Sequence, residues 1–202
     1  MGCARAVRGI AKKIAGSTQC NNGRMKPLRA PGPAHHHHSA LPAATAAGTT
    51  EGPKTHVDAV FPWPLSSAIV RASTGVPVGT GPIAGKVLGL YFSASWCGPC
   101  HDFTAKLKTF YGLRRPVGDF EVVLISLDTD PAAAAAYAGT MPWLALHLDA
   151  VPTFFDTACR RPETIPTLLL LHPTEPRVMP KGRDLVLARL EDGTADTEPF
   201  WK

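Results

Sequence analysis

Two nearly uninterrupted apolar runs dominate the hydrophobic pattern of this chain and predict the central strands of a sheet. They cover residues 87–92 and 122–127, and Ser126 is the only polar residue in the second run. Apolar runs of this length are typical of strands that are covered on both faces. A third run at residues 167–171 predicts another core strand, and residues 177–179 predict an edge strand beside it.

Helical patterns lie between these strands. Four large apolar residues share one helical face after the first strand: Phe103, Leu107, Phe110 and Tyr111. They predict a helix over residues 98–112. Pro131 and the alanines up to residue 138 predict a helix with proline in its first turn, and residues 153–161 predict a short third helix. Strands that alternate with helices predict an α/β domain with a mixed or parallel sheet.

The weaker patterns flank this core. Residues 65–71 predict a short strand, and residues 75–79 predict a turn with a second extended piece. The stretch at residues 185–190 fits either a strand or a terminal helix, and the pattern does not distinguish them.

Composition divides the chain near residue 57. Residues 26–54 are rich in proline, alanine, glycine and threonine, which indicates a linker without a core. We therefore assign residues 1–56 to a basic extension and linker, and residues 57–202 to one domain. Residues 1–50 carry seven basic and no acidic residues, and the remainder carries 14 basic and 16 acidic residues. The basic charge thus lies outside the predicted domain and does not indicate nucleic-acid binding.

The first 24 residues are basic and acid-free, and place Val7, Ile10 and Ile14 on one helical face. This pattern resembles a mitochondrial transit peptide, so we expect a mitochondrial protein if residues 1–30 act as one. The alternatives are a disordered basic tail, or an extension before a start at Met25, in a cytoplasmic protein. No apolar run is long enough to span a membrane, so no stable membrane insertion is expected.

Candidate chemistry centres on residues 96–100, which read Trp-Cys-Gly-Pro-Cys between the first strand and the first helix. A Cys-x-x-Cys at such a junction indicates a redox dithiol. Unpaired N–H groups and the positive end of the helix dipole favour a thiolate at Cys97. Cys97 is therefore the candidate nucleophile, and Cys100, one turn deeper and expected to be less exposed, is the candidate resolving thiol. Pro99 suits a first helical turn.

The other interpretations of this dithiol are weaker. A zinc site needs about four ligands, and no second ligand pair follows Cys97 and Cys100 in a zinc-binding spacing. A structural disulfide would close only a very small loop and would stabilise little. We therefore expect no bound metal and no bound cofactor. A second informative position is Pro166, directly before the third core strand, where a cis or a trans bond after Ile165 is possible.

Several stretches, in the same order, resemble the tryparedoxins and nucleoredoxins of the thioredoxin superfamily. They are residues 91–97 (YFSASWC), 121–124 (EVVL), 141–145 (MPWLA), 163–168 (ETIPTL) and 198–202 (EPFWK). The resemblance spans roughly residues 58–202. It implies a thioredoxin-like fold, with a central mixed sheet flanked by helices on both faces.

The resemblance also implies an activity. Tryparedoxins carry reducing equivalents from the dithiol trypanothione to peroxidases and other disulfide proteins, so we expect these partners and a monomer. On the family pattern Pro166 would be a cis-proline that faces the dithiol, and the Ile165 backbone would receive an extended substrate. Trp96, with Gly98 and Pro99, would contribute to the docking surface.

This sequence departs from the family pattern at several positions, so two alternative functions stay open. Gly98 stands where tryparedoxins usually carry proline, which leaves the electron donor undecided, and Leu127 replaces a family tryptophan. Tyr91 occupies the position of an acidic residue found in many thioredoxins, so Asp128, water or the substrate would handle the Cys100 proton. The alternatives are a nucleoredoxin-type protein disulfide reductase with another donor, and a non-catalytic thioredoxin-fold sensing or binding module.

Overall fold

A mixed sheet lies at the centre of the computed structural model, which describes residues 60–61, 65–158 and 161–200. The strands within these residues are β1 (Ile69–Arg71), β2 (Val87–Ser93), β3 (Phe120–Ser126), β4 (Leu144–Leu146), β5 (Thr167–Leu171) and β6 (Val178–Met179). Their order across the sheet is β1-β4-β3-β2-β5-β6. Strands β2, β3 and β4 are parallel, and β1, β5 and β6 pair antiparallel to their neighbours.

Helices cover both faces of this sheet. They are α1 (Gly98–Arg114), α2 (Pro131–Ala138), α3 (Val151–Ala158) and α4 (Gly182–Glu191), with 3-10 turns at Leu65–Ala68, Gly81–Ile83 and Leu148–Ala150. One apolar cluster joins alternate residues of β2 and β3 to α3, and a second cluster joins the opposite residues to α1, α2 and α4. Because side chains alternate along a strand, the two clusters lie on opposite faces. The predicted thioredoxin-like α/β fold is confirmed.

Differences from the predicted elements are local. The first four residues of the predicted strand at 65–71 form a 3-10 turn, with Leu65 buried, and only Ile69–Arg71 pairs in the sheet. Helix α1 continues two residues past Gly112 to Arg114, and α3 begins earlier than predicted, at Val151. The undecided stretch at 185–190 is helical and belongs to α4.

Strand β4 was missed entirely. It has three residues, too few to display a period, and it is defined by its neighbours on both sides. Val123 and Leu124 of β3 pair with it in parallel, and β1 pairs with its other edge. The extended piece predicted within residues 75–79 is confirmed, because Pro77 bridges to Val70 at the outer edge of β1. The turn itself comes earlier than predicted, since the Thr74 and Gly75 N–H groups both donate to the Arg71 carbonyl.

Candidate active site

The predicted dithiol forms a disulfide between Cys97 and Cys100 at the start of α1. Strand β2 ends at Ser93, and the Cys97 N–H donates to the carbonyl of Ala94, which closes a tight turn before the helix. Cys97 is the N-cap residue, with extended backbone angles, and the Cys100 N–H donates to its carbonyl at 3.0 Å. The dithiol therefore lies where the dipole of α1 is positive.

Both cysteines are buried. Cys97 and Cys100 have 0% exposure and belong to the apolar cluster that also contains Ala94, Leu127 and Ile165. The expectation that Cys100 is less exposed than Cys97 is therefore wrong for this oxidised state. The reason is that the apolar cluster extends to the N-cap of α1 and encloses both sulfurs.

The segment before β5 lies against the dithiol. The peptide bond between Ile165 and Pro166 is cis, and the Ile165 carbonyl oxygen lies 3.9 Å from the Cys97 Sγ atom. In the disulfide neither sulfur carries a hydrogen, so this is a contact, and a reduced Cys97 thiol can donate to the same oxygen. The two sequence-predicted regions, which are separated by 68 residues, therefore meet in the structure.

The remaining predicted site residues form an exposed rim. Trp96 is 42% exposed, which is unusual for so large an apolar side chain, and Gly98 and Pro99 are also exposed. The rim thus presents one large ring and two residues without polar side-chain groups directly beside the buried disulfide.

A hydrogen-bonded anchor fixes the turn before Cys97. Asp128 accepts hydrogen bonds from the Ser95 N–H at 3.0 and 3.1 Å, from the Ser95 hydroxyl at 2.7 Å and from the Ser126 hydroxyl at 2.8 Å. The Ser95 carbonyl in turn lies 2.7 Å from His101 Nε2. The sequence does not predict this role for Ser95 or His101, because serine and histidine beside a Cys-x-x-Cys carry no distinctive pattern.

Tyr91, six residues before Cys97, lies beneath the dithiol. Its hydroxyl donates to the Cys100 carbonyl at 3.1 Å and lies 2.8 Å from the Thr104 hydroxyl. Burial raises the pKa of Tyr91 far above its ordinary value, so the side chain is a neutral phenol. A neutral phenol can donate a hydrogen bond here, but it cannot accept the Cys100 proton as the carboxylate that many thioredoxins carry at this position could.

Within the described residues, no group of three or more His, Cys, Asp or Glu side chains is arranged to hold a metal ion. In the same part of the chain, no helix combines the length and apolarity needed to cross a membrane. Cys3, Cys20 and Cys159, and the basic segment with its proposed targeting role, lie outside the described residues.

The fold and the dithiol define a class of protein. A family model described as thioredoxin-like matches residues 85–175. Tryparedoxin II from Crithidia fasciculata has a similar solved structure, with a TM-score of 0.59 and 31% identity, over 67% of this chain and 89% of that one. Another structure of tryparedoxin II, in complex with glutathionylspermidine, is 30% identical, with a TM-score of 0.55 over 70% of this chain and 95% of that chain. The chain is a thiol–disulfide oxidoreductase of the thioredoxin superfamily.

Proteins with similar sequences indicate the branch of the superfamily. The tryparedoxin of Trypanosoma brucei brucei is 44% identical over 109 residues, which cover 54% of this chain and 76% of that protein. Probable nucleoredoxin 2 of Oryza sativa subsp. japonica is 38% identical over 118 residues, which cover 55% of this chain but only 28% of that protein. The chain belongs to the tryparedoxin and nucleoredoxin branch of the superfamily, and it spans about a quarter of this nucleoredoxin's length.

Proposed function

We propose that the chain is a tryparedoxin-like carrier that passes two electrons from a small dithiol, such as trypanothione, to protein disulfides, such as those of peroxidases. Cys97 and Cys100 alternate between disulfide and dithiol, and the protein needs no bound cofactor. The observation that supports this most directly is the dithiol at the N-terminus of α1, with the Ile165 carbonyl and cis-Pro166 against it.

Electron uptake proceeds in two exchanges. A donor thiolate attacks the Cys97 sulfur, the Cys97–Cys100 bond breaks, and Cys100 leaves as a thiolate that takes up a proton. The second donor thiol then displaces Cys97 and leaves with the first as the donor disulfide. The donor is oxidised by two electrons and the protein is reduced by two.

Electron delivery reverses these roles. The Cys97 thiolate attacks a substrate disulfide and forms a mixed disulfide, and Cys100 then attacks Cys97 and releases the reduced substrate. The positive end of α1 favours the Cys97 thiolate, because the N-cap residue lies where helix N–H groups lack intrahelical partners. This supports Cys97, rather than Cys100, as the attacking thiol.

Access to the sulfur is part of this proposal. Since Cys97 has no exposed surface in the disulfide form, attack requires a local displacement of the groups around it. The exposed rim of Trp96, Gly98 and Pro99 offers a docking surface for the incoming partner. The backbone of Ile165 offers a carbonyl for an extended substrate segment.

The donor is tested by comparing reduction rates. Oxidised protein is mixed separately with trypanothione, with glutathione, and with thioredoxin plus its reductase, and the rate at which the Cys97–Cys100 disulfide opens is measured for each donor. We expect the fastest opening with trypanothione, in keeping with the glutathionylspermidine complex of the related tryparedoxin II. Faster reduction by the thioredoxin system would instead support the nucleoredoxin-type alternative, which the similarity to rice nucleoredoxin 2 favours.

We also propose a monomeric domain over residues 57–202 and a mitochondrial location directed by residues 1–30. A reporter fused to residues 1–30 tests the location, and a diffuse cytosolic signal would support the cytoplasmic alternative. Sedimentation of the full chain tests the monomer.

A further inference from the structure

Tyr137 links helix α2 to the residues around the dithiol. Its hydroxyl lies 2.9 Å from the Ser93 hydroxyl and 2.9 Å from the Thr104 hydroxyl. Thr104 lies 2.8 Å from the Tyr91 hydroxyl, which donates to the Cys100 carbonyl at 3.1 Å. Four buried hydroxyls from β2, α1 and α2 thus form one continuous chain that ends on Cys100.

The carbonyl at the end of this chain fixes the direction of the three bonds nearest to it. A carbonyl can only accept, so Tyr91 uses its single hydrogen on Cys100 and must accept from Thr104. The Thr104 hydrogen is then committed, so Tyr137 donates to Thr104 and its oxygen can accept from Ser93. The O–H bonds of Tyr137, Thr104 and Tyr91 therefore run in one direction along the chain, toward Cys100.

We propose that Tyr137 is a positioning residue that tunes the reduction potential of the dithiol through this chain. Hydrogen bonds aligned in one direction polarise one another, and they act strongly where water is excluded. Their positive ends face the first turn of α1, beside which the reduced protein holds the Cys97 thiolate. Support for a thiolate there stabilises the reduced protein and raises its reduction potential.

A second contact of Tyr137 reaches the other side of the dithiol. Its ring packs edge-on against the His101 ring, with centroids 5.0 Å apart. His101 Nε2 lies 2.7 Å from the carbonyl of Ser95, two residues before Cys97. Tyr137 therefore supports the backbone on both sides of the Cys97–Cys100 pair. It acts through Thr104 and Tyr91 on one side and through His101 on the other.

The test compares potentials of the full-length chain and its variants Tyr137→Phe, Thr104→Val and Ser93→Ala in glutathione redox buffers. Alkylation and mass spectrometry report on one tryptic peptide, residues 87–106, which contains Cys97 and Cys100 and none of the other cysteines. Tyr111→Phe is the matched control, because it also removes a buried phenol hydroxyl, one bonded to Glu121 instead.

We expect Tyr137→Phe and Thr104→Val to shift the redox equilibrium constant about threefold toward the disulfide, which corresponds to a potential about 14 mV more negative. Ser93→Ala should shift it less, because it leaves the three bonds nearest Cys100 intact. The ultraviolet absorbance of the Cys97 thiolate should appear at higher pH in Tyr137→Phe and Thr104→Val than in the wild type. Tyr111→Phe should lose stability without any shift in potential.

Two results would overturn the proposal: potentials that match the wild type in Tyr137→Phe and Thr104→Val, or an equal shift in Tyr111→Phe. The inference rests on Cys97–Cys100 being the redox couple of the proposed function, but not on the identity of the donor. Failure of the proposed function is distinguishable, because the wild type itself would then show no reversible titration.

Discussion

The Arg114 guanidinium holds the Asp119 carboxylate through two hydrogen bonds, from Nε at 2.9 Å and from Nη2 at 2.6 Å. The remaining nitrogen, Nη1, donates to the carbonyls of Ala195 and Glu198, and the guanidinium lies 4.8 Å from the centroid of the Phe200 ring. Arg114 is 3% exposed. It thus joins the last turn of α1 to the C-terminal segment in a largely water-excluded site.

Loss of this junction should cost stability and leave the redox chemistry intact. Arg114→Ala removes the donor to the buried Ala195 carbonyl together with both hydrogen bonds to Asp119, and should reduce the free energy of unfolding by about 2–4 kcal/mol. The exposed neighbour provides the control: Arg115→Ala should change it by no more than about 0.5 kcal/mol. Urea unfolding measures both. Equal effects of the two substitutions on unfolding would contradict the claim that Arg114 stabilises the fold through these contacts. A changed reduction potential in Arg114→Ala would contradict the claim that these contacts do not affect the dithiol.

Glu121 should make stability depend on pH. Burial raises its pKa above the ordinary value of 4.5, while the Val122 N–H and the Tyr111 hydroxyl, both donating to Oε1, oppose the rise. A carboxyl with a raised pKa in the folded state contributes stability below pH 4.5 that is lost as pH rises through the folded-state pKa.

The measurement is the free energy of unfolding of wild type and Glu121→Gln from pH 4 to pH 8, where glutamine keeps the accepting oxygen but does not titrate. The stability of wild type relative to the variant should fall as pH rises above about 4.5. Because other carboxyls titrate in both proteins, only the difference is informative. A constant difference across this range would show that the Glu121 pKa is not raised.

Two helix glycines should respond oppositely to alanine. A Cβ atom at Gly182, the first residue of α4, would lie 2.7 Å from the Leu168 carbonyl and 2.8 Å from the Leu170 Cγ atom. A Cβ at Gly112 in α1 would meet nothing within 4 Å. Gly182→Ala should therefore destabilise the protein by about 1–3 kcal/mol, and Gly112→Ala should stabilise it by up to about 1 kcal/mol.

Thermal unfolding of the two variants checks this pair. A stable Gly182→Ala protein would mean that α4 can move away from β5 at no cost.

Gly98 should accept the proline that tryparedoxins usually carry. It is the first residue of α1, where an N–H has no intrahelical partner, and an added Cβ would meet nothing within 4 Å. Cys97 already has the extended backbone that a following proline requires. Gly98→Pro should fold with stability equal to wild type or higher by up to about 1 kcal/mol.

The comparison of reduction rates with different donors then measures the effect of Gly98 on the choice of donor. If Gly98 sets the donor, Gly98→Pro should raise the rate with trypanothione relative to the rate with the thioredoxin system. An unchanged ratio would assign donor choice to other residues. Gly112→Ala, distant along the same helix, is the control for effects on the helix alone.

The sequence predicted those parts of the molecule that local pattern determines. Long apolar runs defined β2, β3 and β5, and the Cys-x-x-Cys between strand and helix defined the dithiol. Strand β4 could not be predicted, because three residues show no period and its pairing depends on β1 and β3.

The burial of Cys97 and the hydrogen-bonded chain of hydroxyls from Ser93 to Cys100 could not be predicted, for the same physical reason. Each depends on residues far apart in sequence, such as Tyr137 against Ser93, that only the tertiary fold brings together. Ordinary serine, threonine and tyrosine residues carry no sequence signal for such a network.

The central claim is that Cys97 attacks and Cys100 resolves, and it is tested most directly by trapping. Cys97→Ser and Cys100→Ser are each incubated with an oxidised peroxidase substrate, and mixed disulfides are identified by non-reducing electrophoresis and mass spectrometry of the peptide covering residues 87–106. Cys100→Ser should accumulate a mixed disulfide through Cys97, and Cys97→Ser should form none. A mixed disulfide through Cys100 in Cys97→Ser, with none in Cys100→Ser, would contradict the assignment.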